Sequence, residues 1–118
     1  MSQAHPITGA YKITHMDQWD QDFVDIEVPG FIRFDPHGQV EFHFGYVTGE
    51  MTVVFTDRNG KPAAEWTWEG NDEMDPASGR GWAVLQDDGR LEGELSFLEG
   101  DSSAFTAERT ARGGKKAK

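Results

Sequence analysis

The sequence contains no cysteine among its 118 residues. A disulfide framework and a thiolate metal site are therefore excluded, and packing alone must hold the core together. No apolar run approaches the roughly 20 residues that a membrane-spanning helix needs, and residues 1–6 lack the charged and apolar regions of a signal peptide. We therefore expect a cytoplasmic protein that does not bind membranes.

Basic residues are scarce outside the last ten positions. The chain has 11 Lys and Arg against 21 Asp and Glu, and five of the basic residues fall within 109–118. Residues 1–108 thus carry six basic and 21 acidic side chains, a net charge of −15. A field of this sign repels nucleic acid and favours cations or basic protein surfaces. We expect the folded part to avoid nucleic acid, and the sequence leaves the oligomeric state open.

The length fits one domain with one hydrophobic core. Residues 8–110 are expected to form this domain, after a flexible N-terminus at 1–7. The last segment, 111–118, contains glycine, alanine and basic residues but no large apolar side chain, which predicts a disordered basic tail.

Fourteen glycines punctuate the chain, and the stretches between them alternate apolar and polar side chains. This pattern predicts strands joined by tight turns, and the pairs Asn59-Gly60 and Asp88-Gly89 are typical of hairpins. Turns are also expected at 35–38 and 48–50. Strands are predicted at 8–14, 31–34, 39–46, 51–56, 63–69, 82–86, 90–98 and 104–110.

These strands are joined by short connections in chain order. They predict an all-β fold, a small antiparallel up-and-down barrel of about seven or eight strands, with an open sandwich as the alternative. The exception lies at 16–28, where Trp19, Phe23 and Ile26 recur at helical spacing before Pro29. We expect a short helical or irregular segment there that plugs one barrel end.

The stretch 70–81 is predicted as a loop of about twelve residues, much longer than the other connections. In one interpretation Arg80 pairs with a neighbouring carboxylate, Ser78 caps a turn, and the loop is pinned over a barrel end. In a second interpretation its oxygen atoms bind a hard cation, although the spacing does not match an EF-hand. In a third, it forms a recognition surface with nearby tryptophans.

We predict that the aromatic barrel end under this loop binds a small ligand or a protein partner. The residues expected to bind are Trp66, Trp68, Asp72, Glu73, Asp75, Arg80 and Trp82. No catalytic residue, metal site or cofactor is predicted.

Patterns that would indicate catalysis are missing. The four histidines, His5, His15, His37 and His43, are scattered without the spacing of a zinc site. No serine lies in a nucleophile elbow. Alternation places Glu65, Glu69, Glu92 and Glu94 on the outer face. A non-enzymatic role is favoured.

Two other functions stay open. The first is an acidic inhibitor or nucleic-acid mimic that engages a basic protein surface through Asp17, Asp20, Asp22, Asp25 and Glu27. The second is a metal-dependent hydrolase, which would require Asp72, Glu73 and Asp75 to converge on one ion.

Two resemblances add to this picture. The run from Trp68 to Trp82, with Gly89-Arg90-Leu91-Glu92-Gly93 and Gly100-Asp101-Ser102-Ser103-Ala104-Phe105, resembles a group of small uncharacterised bacterial proteins over most of 30–110. Gly9-Ala10-Tyr11, with Tyr11 where lipocalins place tryptophan, and the late pair Phe105 and Arg109 are similar to calycin barrels such as lipocalins and avidin-like proteins. The second resemblance implies a barrel that binds a small apolar or cyclic ligand inside.

Overall fold

Eight strands follow one another along the chain, and each pairs with its sequence neighbours in an antiparallel closed barrel. The computed structural model describes residues 5–35, 40–98 and 100–110. The first strand also pairs with the last, which closes the barrel. The strands are β1 (Gly9–Met16), β2 (Phe31–Phe34), β3 (Val40–Phe44), β4 (Val47–Arg58), β5 (Lys61–Asp72), β6 (Asp75–Leu85), β7 (Arg90–Phe97) and β8 (Ser102–Arg109). The predicted up-and-down barrel is confirmed.

Two predicted hairpins are confirmed, and both depend on positive backbone angles. Asn59 and Gly60 have φ of 55° and 82° between β4 and β5, as a tight hairpin turn requires. Gly89 has φ of 91° between β6 and β7. The turn expected at 35–38 and the tail at 111–118 lie mostly or wholly outside the described residues, as does His37.

The turn predicted at 48–50 is wrong. The chain turns instead at Gly45 and Tyr46, where Gly45 has φ of 58°, and Gly49 lies within β4. A β-carbon on Gly49 would come within 2.5 Å of the Phe42 ring, so this glycine makes room for an aromatic side chain inside the barrel. From the sequence alone, a glycine that makes room for a ring within a strand cannot be distinguished from a glycine in a turn.

The long loop predicted at 70–81 is also wrong. Strand β5 continues to Asp72, β6 begins at Asp75, and only Glu73 and Met74 connect them. Pro76 lies beyond the last β6 pair with β7, which is Gly79 with Phe97. This part of β6 therefore has an edge where proline is tolerated. The segment belongs to a long hairpin and does not roof the barrel.

The barrel interior is filled by aromatic rings. Trp66 and Trp68 of β5 are only 4% and 3% exposed. Their cross-strand partners on β6 are Gly81 and Gly79, so small residues on one strand leave room for indoles on the next. The Trp68 indole donates a hydrogen bond to the Ser96 carbonyl at 3.1 Å. Around them pack Tyr11, Ile13, Ile32, Phe34, Phe42, Phe44, Leu91, Leu95 and Phe105.

One end of the barrel is closed by residues that precede β1. Ile7 is fully buried, and its carbonyl accepts a hydrogen bond from the Tyr11 hydroxyl at 2.8 Å. The guanidinium of Arg109 lies 5.0 Å from the centre of the Tyr11 ring and donates to the carbonyls of Thr8 and Pro6. Burial raises the pKa of Tyr11, and Arg109 opposes this. The end of the segment expected to be flexible thus packs on the barrel.

The other end is closed by the connection between β1 and β2. It contains one helix, α1 (Gln21–Val24), whose N-cap Asp20 accepts a hydrogen bond from the Phe23 N–H. The rings of Trp19 and Phe23 contact each other and reach the barrel aromatics. The predicted short helical segment is confirmed, although Ile26 is exposed because the helix ends before it. None of the described helices is long and apolar enough to cross a membrane.

Asp25 ties this connection to the barrel wall. Its carboxylate accepts from the Gly30 N–H at 2.7 Å, from the Gln21 amide at 3.1 Å and from the Lys12 ammonium at 3.5 Å. The Gly30 hydrogen bond is the main cause that holds the pKa of Asp25 below its ordinary 3.8, and partial burial opposes it.

Replacement of Asp25 by alanine should lower the free energy of unfolding by about 1 kcal/mol at pH 7, because the Gly30 N–H loses its acceptor. Since the folded-state pKa is lowered, the contribution of the charged carboxylate is complete above pH 3.8 and is lost as the pH falls through the folded-state pKa. Urea unfolding of wild type and Asp25→Ala at pH 7 and in acid measures this difference. Asp22→Ala, in the adjoining helix α1, is the control. A difference that does not shrink in acid would contradict the prediction.

Candidate functional site

The structure separates the residues that the sequence grouped into one site. Trp66 and Trp68 are core residues inside the barrel. Asp72, Glu73 and Asp75 lie at the tip of the β5–β6 hairpin. Arg80 and Trp82 lie on the outer face, opposite Thr67 and Glu65 of β5. The predicted aromatic end roofed by 70–81 is therefore not formed, and the connection that holds Trp19 closes that end instead.

Two of the predicted carboxylates nevertheless line a groove beside an aromatic side chain. We call it the acidic groove; its volume is about 340 Å³. Asp72 and Asp75 come from the β5–β6 hairpin, and Asp101 comes from the β7–β8 connection. Trp19, from the β1–β2 connection, lines the same groove, together with Pro76, Ala77, Ser78, Phe97, Leu98 and Gly100. The up-and-down order brings these three connections to one barrel end.

The carboxylates of the acidic groove have no counter-ion among the residues that the structure describes. Within the described part of the chain, the side chains of Asp72, Asp75 and Asp101 make no hydrogen bond or ion pair, and neither does that of Glu73 at the hairpin tip. Asp72 and Asp75 are direct cross-strand partners. Like charges in that position destabilise a sheet, so the groove retains a repulsion that a bound cation would relieve.

Most carboxylates of the β1–β2 connection, unlike those of the acidic groove, have hydrogen-bond or ion-pair partners. Asp17 lies 3.2 Å from His15, Asp25 pairs with Lys12, and Glu27 lies 3.2 Å from His43. Asp20 caps α1, so among these five described carboxylates only Asp22 has no hydrogen bond or ion pair. The acidic face predicted at 17–27 is therefore largely used within the fold.

Exposed apolar side chains lie in the acidic groove and on the connections at the same barrel end. Leu98 lines it and is 66% exposed, and Met74 at the hairpin tip is 93% exposed. Ile26 and Val28, in the connection that closes this end, are also exposed. Val54, on the outer wall, is the remaining large hydrophobic residue that is exposed in the described ranges. This end thus combines unpaired negative charge with accessible apolar surface.

No protein-family model, curated protein or solved structure matches the chain. The site is therefore interpreted from its geometry and chemistry alone.

The pairing predicted for Arg80 is wrong. Its guanidinium has no ion pair or hydrogen bond in the described ranges, and Ser78 lies in β6 instead of capping a turn. Asp72 and Asp75 lie at the tip of the hairpin, whereas Arg80 lies farther along β6 on the outer wall, opposite Thr67. Removal of its charge is expected to leave stability nearly unchanged.

None of the described histidines lines the acidic groove. His5 stacks on Phe55 at the opposite end, and His43 lies on the outer wall between Glu27 and the Gly45 carbonyl. In residues 5–35, 40–98 and 100–110, no group of three His, Asp or Glu side chains could hold a metal ion. The convergence of Asp72, Glu73 and Asp75 required for a metal-dependent hydrolase is thus not observed there.

Sequence reasoning missed Trp19, Phe97, Leu98 and Asp101 as groove residues. None of these residues indicates a groove by itself, since Trp19 is expected in the segment that closes a barrel end and Phe97 at an inward-facing strand position. One signal was present: in an up-and-down barrel, alternate connections lie at the same end. The connections after β1, β5 and β7 are alternate ones, so this topology predicts that their residues lie at one barrel end.

Proposed function

We propose that this protein is a non-enzymatic binding protein that takes a Lys- or Arg-containing, partly apolar segment of a protein partner at the acidic groove. One observation carries the proposal: three carboxylates without counter-ions, Asp72, Asp75 and Asp101, line a groove with Trp19. A cationic side chain supplies the missing counter-ion.

The groove suits the whole length of such a side chain. Carboxylates attract the ammonium or guanidinium head, while the faces of aromatic rings attract cations and pack against their alkyl stems. Exposed ion pairs contribute only about 0.2–1 kcal/mol each, so one cation would bind weakly. A partner with several basic residues would gain from the wider acidic field and from contact with Leu98 and Met74.

A protein partner is favoured over a small molecule inside the barrel because aromatic rings occupy the interior. Phe34 contacts Trp66, and Phe42 contacts Trp68, at centroid distances of 5.5 Å and 5.0 Å. The contact of Arg109 with Tyr11 joins two of the residues that carry the calycin resemblance. We propose a calycin-like barrel that binds on its rim. The bacterial resemblance and a cytoplasmic location are likewise proposals.

The test is a titration followed through the four tryptophan indole N–H resonances. A peptide of alternating Lys and Leu should shift the Trp19 resonance and leave the buried Trp68 resonance in place. Binding should weaken as salt rises, because salt screens exposed charges. A peptide of alternating Glu and Leu is the control. Equal binding of both peptides, or a Lys–Leu peptide that leaves Trp19 unperturbed, would overturn the proposal.

A further inference from the structure

Arg80 differs from every other cation that the structure describes. Seven Lys and Arg residues lie in the described ranges, and six have partners. Lys12, Arg33, Arg58, Lys61 and Arg90 pair with carboxylates, and Arg109 binds backbone carbonyls and the Tyr11 ring. Arg80 alone has none, although residues 1–108 carry a net charge of −15.

Arg80 lies at one side of a groove on the outer wall of β4, β5 and β6. We call it the outer-wall groove; its volume is about 530 Å³. Trp82 and Val54 give it an apolar surface, with Val54 65% exposed. Hydroxyl groups come from Thr52 and from Thr67, the direct cross-strand partner of Arg80. The groove therefore combines a free guanidinium, hydroxyl groups and an aromatic surface.

The remaining charges of this groove are already paired. Arg58 binds Glu65 at 3.3 Å, and its guanidinium lies 4.6 Å from the centre of a Trp82 ring. Glu65 is the only carboxylate among the residues that line the groove, and Arg58 is its counter-ion. Arg80 is therefore the charge available to a ligand.

A second donor without a partner lies in the wall of the same groove. The indole N–H of Trp66 is buried and makes no hydrogen bond. The site of a β-carbon on Gly81 would be 2.7 Å from that nitrogen, so Trp66 packs directly against the Gly81 backbone. The charge without a partner at this groove is thus a guanidinium, which only donates, and a complementary ligand must supply acceptors to it.

We propose that the outer-wall groove binds a small organic carboxylate with a flat apolar body, with the carboxylate on Arg80 and the body on Trp82 and Val54. A planar guanidinium matches a carboxylate in a two-point hydrogen bond. The aromatic side chain supplies contact area at little entropic cost. A doubly charged phosphate fits less well, because Glu50 and Glu69 lie on neighbouring outward positions of β4 and β5. This site selects an anion, so it is independent of the cation-selective acidic groove.

The experiment uses 2-naphthoate as the probe and 2-naphthamide as its uncharged control. Titration of the full chain with 2-naphthoate should shift the Trp82 and Trp66 indole resonances and leave that of Trp19 in place. Arg80→Gln should weaken naphthoate binding by about tenfold and change naphthamide binding little. Arg90→Gln, an exposed arginine paired with Asp88 at another place on the barrel, should bind naphthoate as wild type does.

Thermal unfolding should show that Arg80→Gln folds as stably as wild type, because no internal partner is lost. Naphthoate and naphthamide binding equally well would overturn the proposal, as would equal losses in Arg80→Gln and Arg90→Gln. Shifts that appear without probe as protein concentration rises would assign the groove to a second copy of the chain and also overturn it. Lys–Leu peptide binding is scored separately at Trp19, so either proposal can fail alone.

Discussion

Gly79→Ala is expected to lower the free energy of unfolding by about 3 kcal/mol or more, or to prevent folding. An added β-carbon would come within 1.8 Å of the Ser96 carbonyl oxygen and 2.9 Å of the Trp68 indole nitrogen. Gly79 lies between Trp68 on β5 and Phe97 on β7, whose rings meet edge to face at a centroid distance of 5.2 Å. Neither the backbone nor this aromatic pair can withdraw without opening the β6–β7 pairing.

Thermal and urea unfolding measure this effect, and the midpoint temperature should fall by about 10 °C or more. Gly100→Ala is the matched control, since its β-carbon would meet nothing closer than the Phe97 β-carbon at 3.1 Å. That contact is tight but involves no backbone atom, so a small effect is expected. Similar losses in the two variants would show that the requirement for glycine at 79 is not steric.

The same glycines explain which parts of the fold could be predicted from the sequence. Alternation in β7 and β8 and the Asn59-Gly60 turn are local features, and they correctly indicated strands and a hairpin. The sequence predicts Gly79 and Gly81 within a loop because glycine is rare in strands. Glycine is required at these two positions because they are the cross-strand partners of Trp68 and Trp66 on β5. Only knowledge of the pairing makes that visible.

The candidate site shows the same limit. Closeness in sequence predicts that Asp72 and Asp75 lie beside Arg80, whereas the hairpin places both carboxylates at its tip and Arg80 on the outer wall. In a hairpin, residues close in sequence separate along the strand by about 3.4 Å per residue. Asp101 and Trp19, remote in sequence, line the groove with Asp72 instead. Sequence identified the residue types, and strand register determined which of them meet.

The second large effect concerns the acidic groove. The triple variant Asp72→Asn, Asp75→Asn, Asp101→Asn should bind the Lys–Leu peptide between about tenfold and about a hundredfold more weakly at low salt, since three exposed ion pairs are lost. The control triple variant Asp57→Asn, Glu50→Gln, Glu94→Gln removes the same net charge elsewhere on the barrel. Isothermal titration calorimetry on both separates a local site from general attraction, and equal losses would contradict the site.

Stability should move in the opposite direction from affinity. Asp72 and Asp75 are cross-strand partners without counter-ions, so their neutralisation removes a repulsion and should stabilise the hairpin by a few tenths of a kcal/mol. A structural role predicts the reverse, because loss of needed carboxylates would lower the unfolding temperature. If binding falls while the unfolding temperature holds or rises, these charges are retained at a cost to the fold, as a binding site for a cationic partner requires.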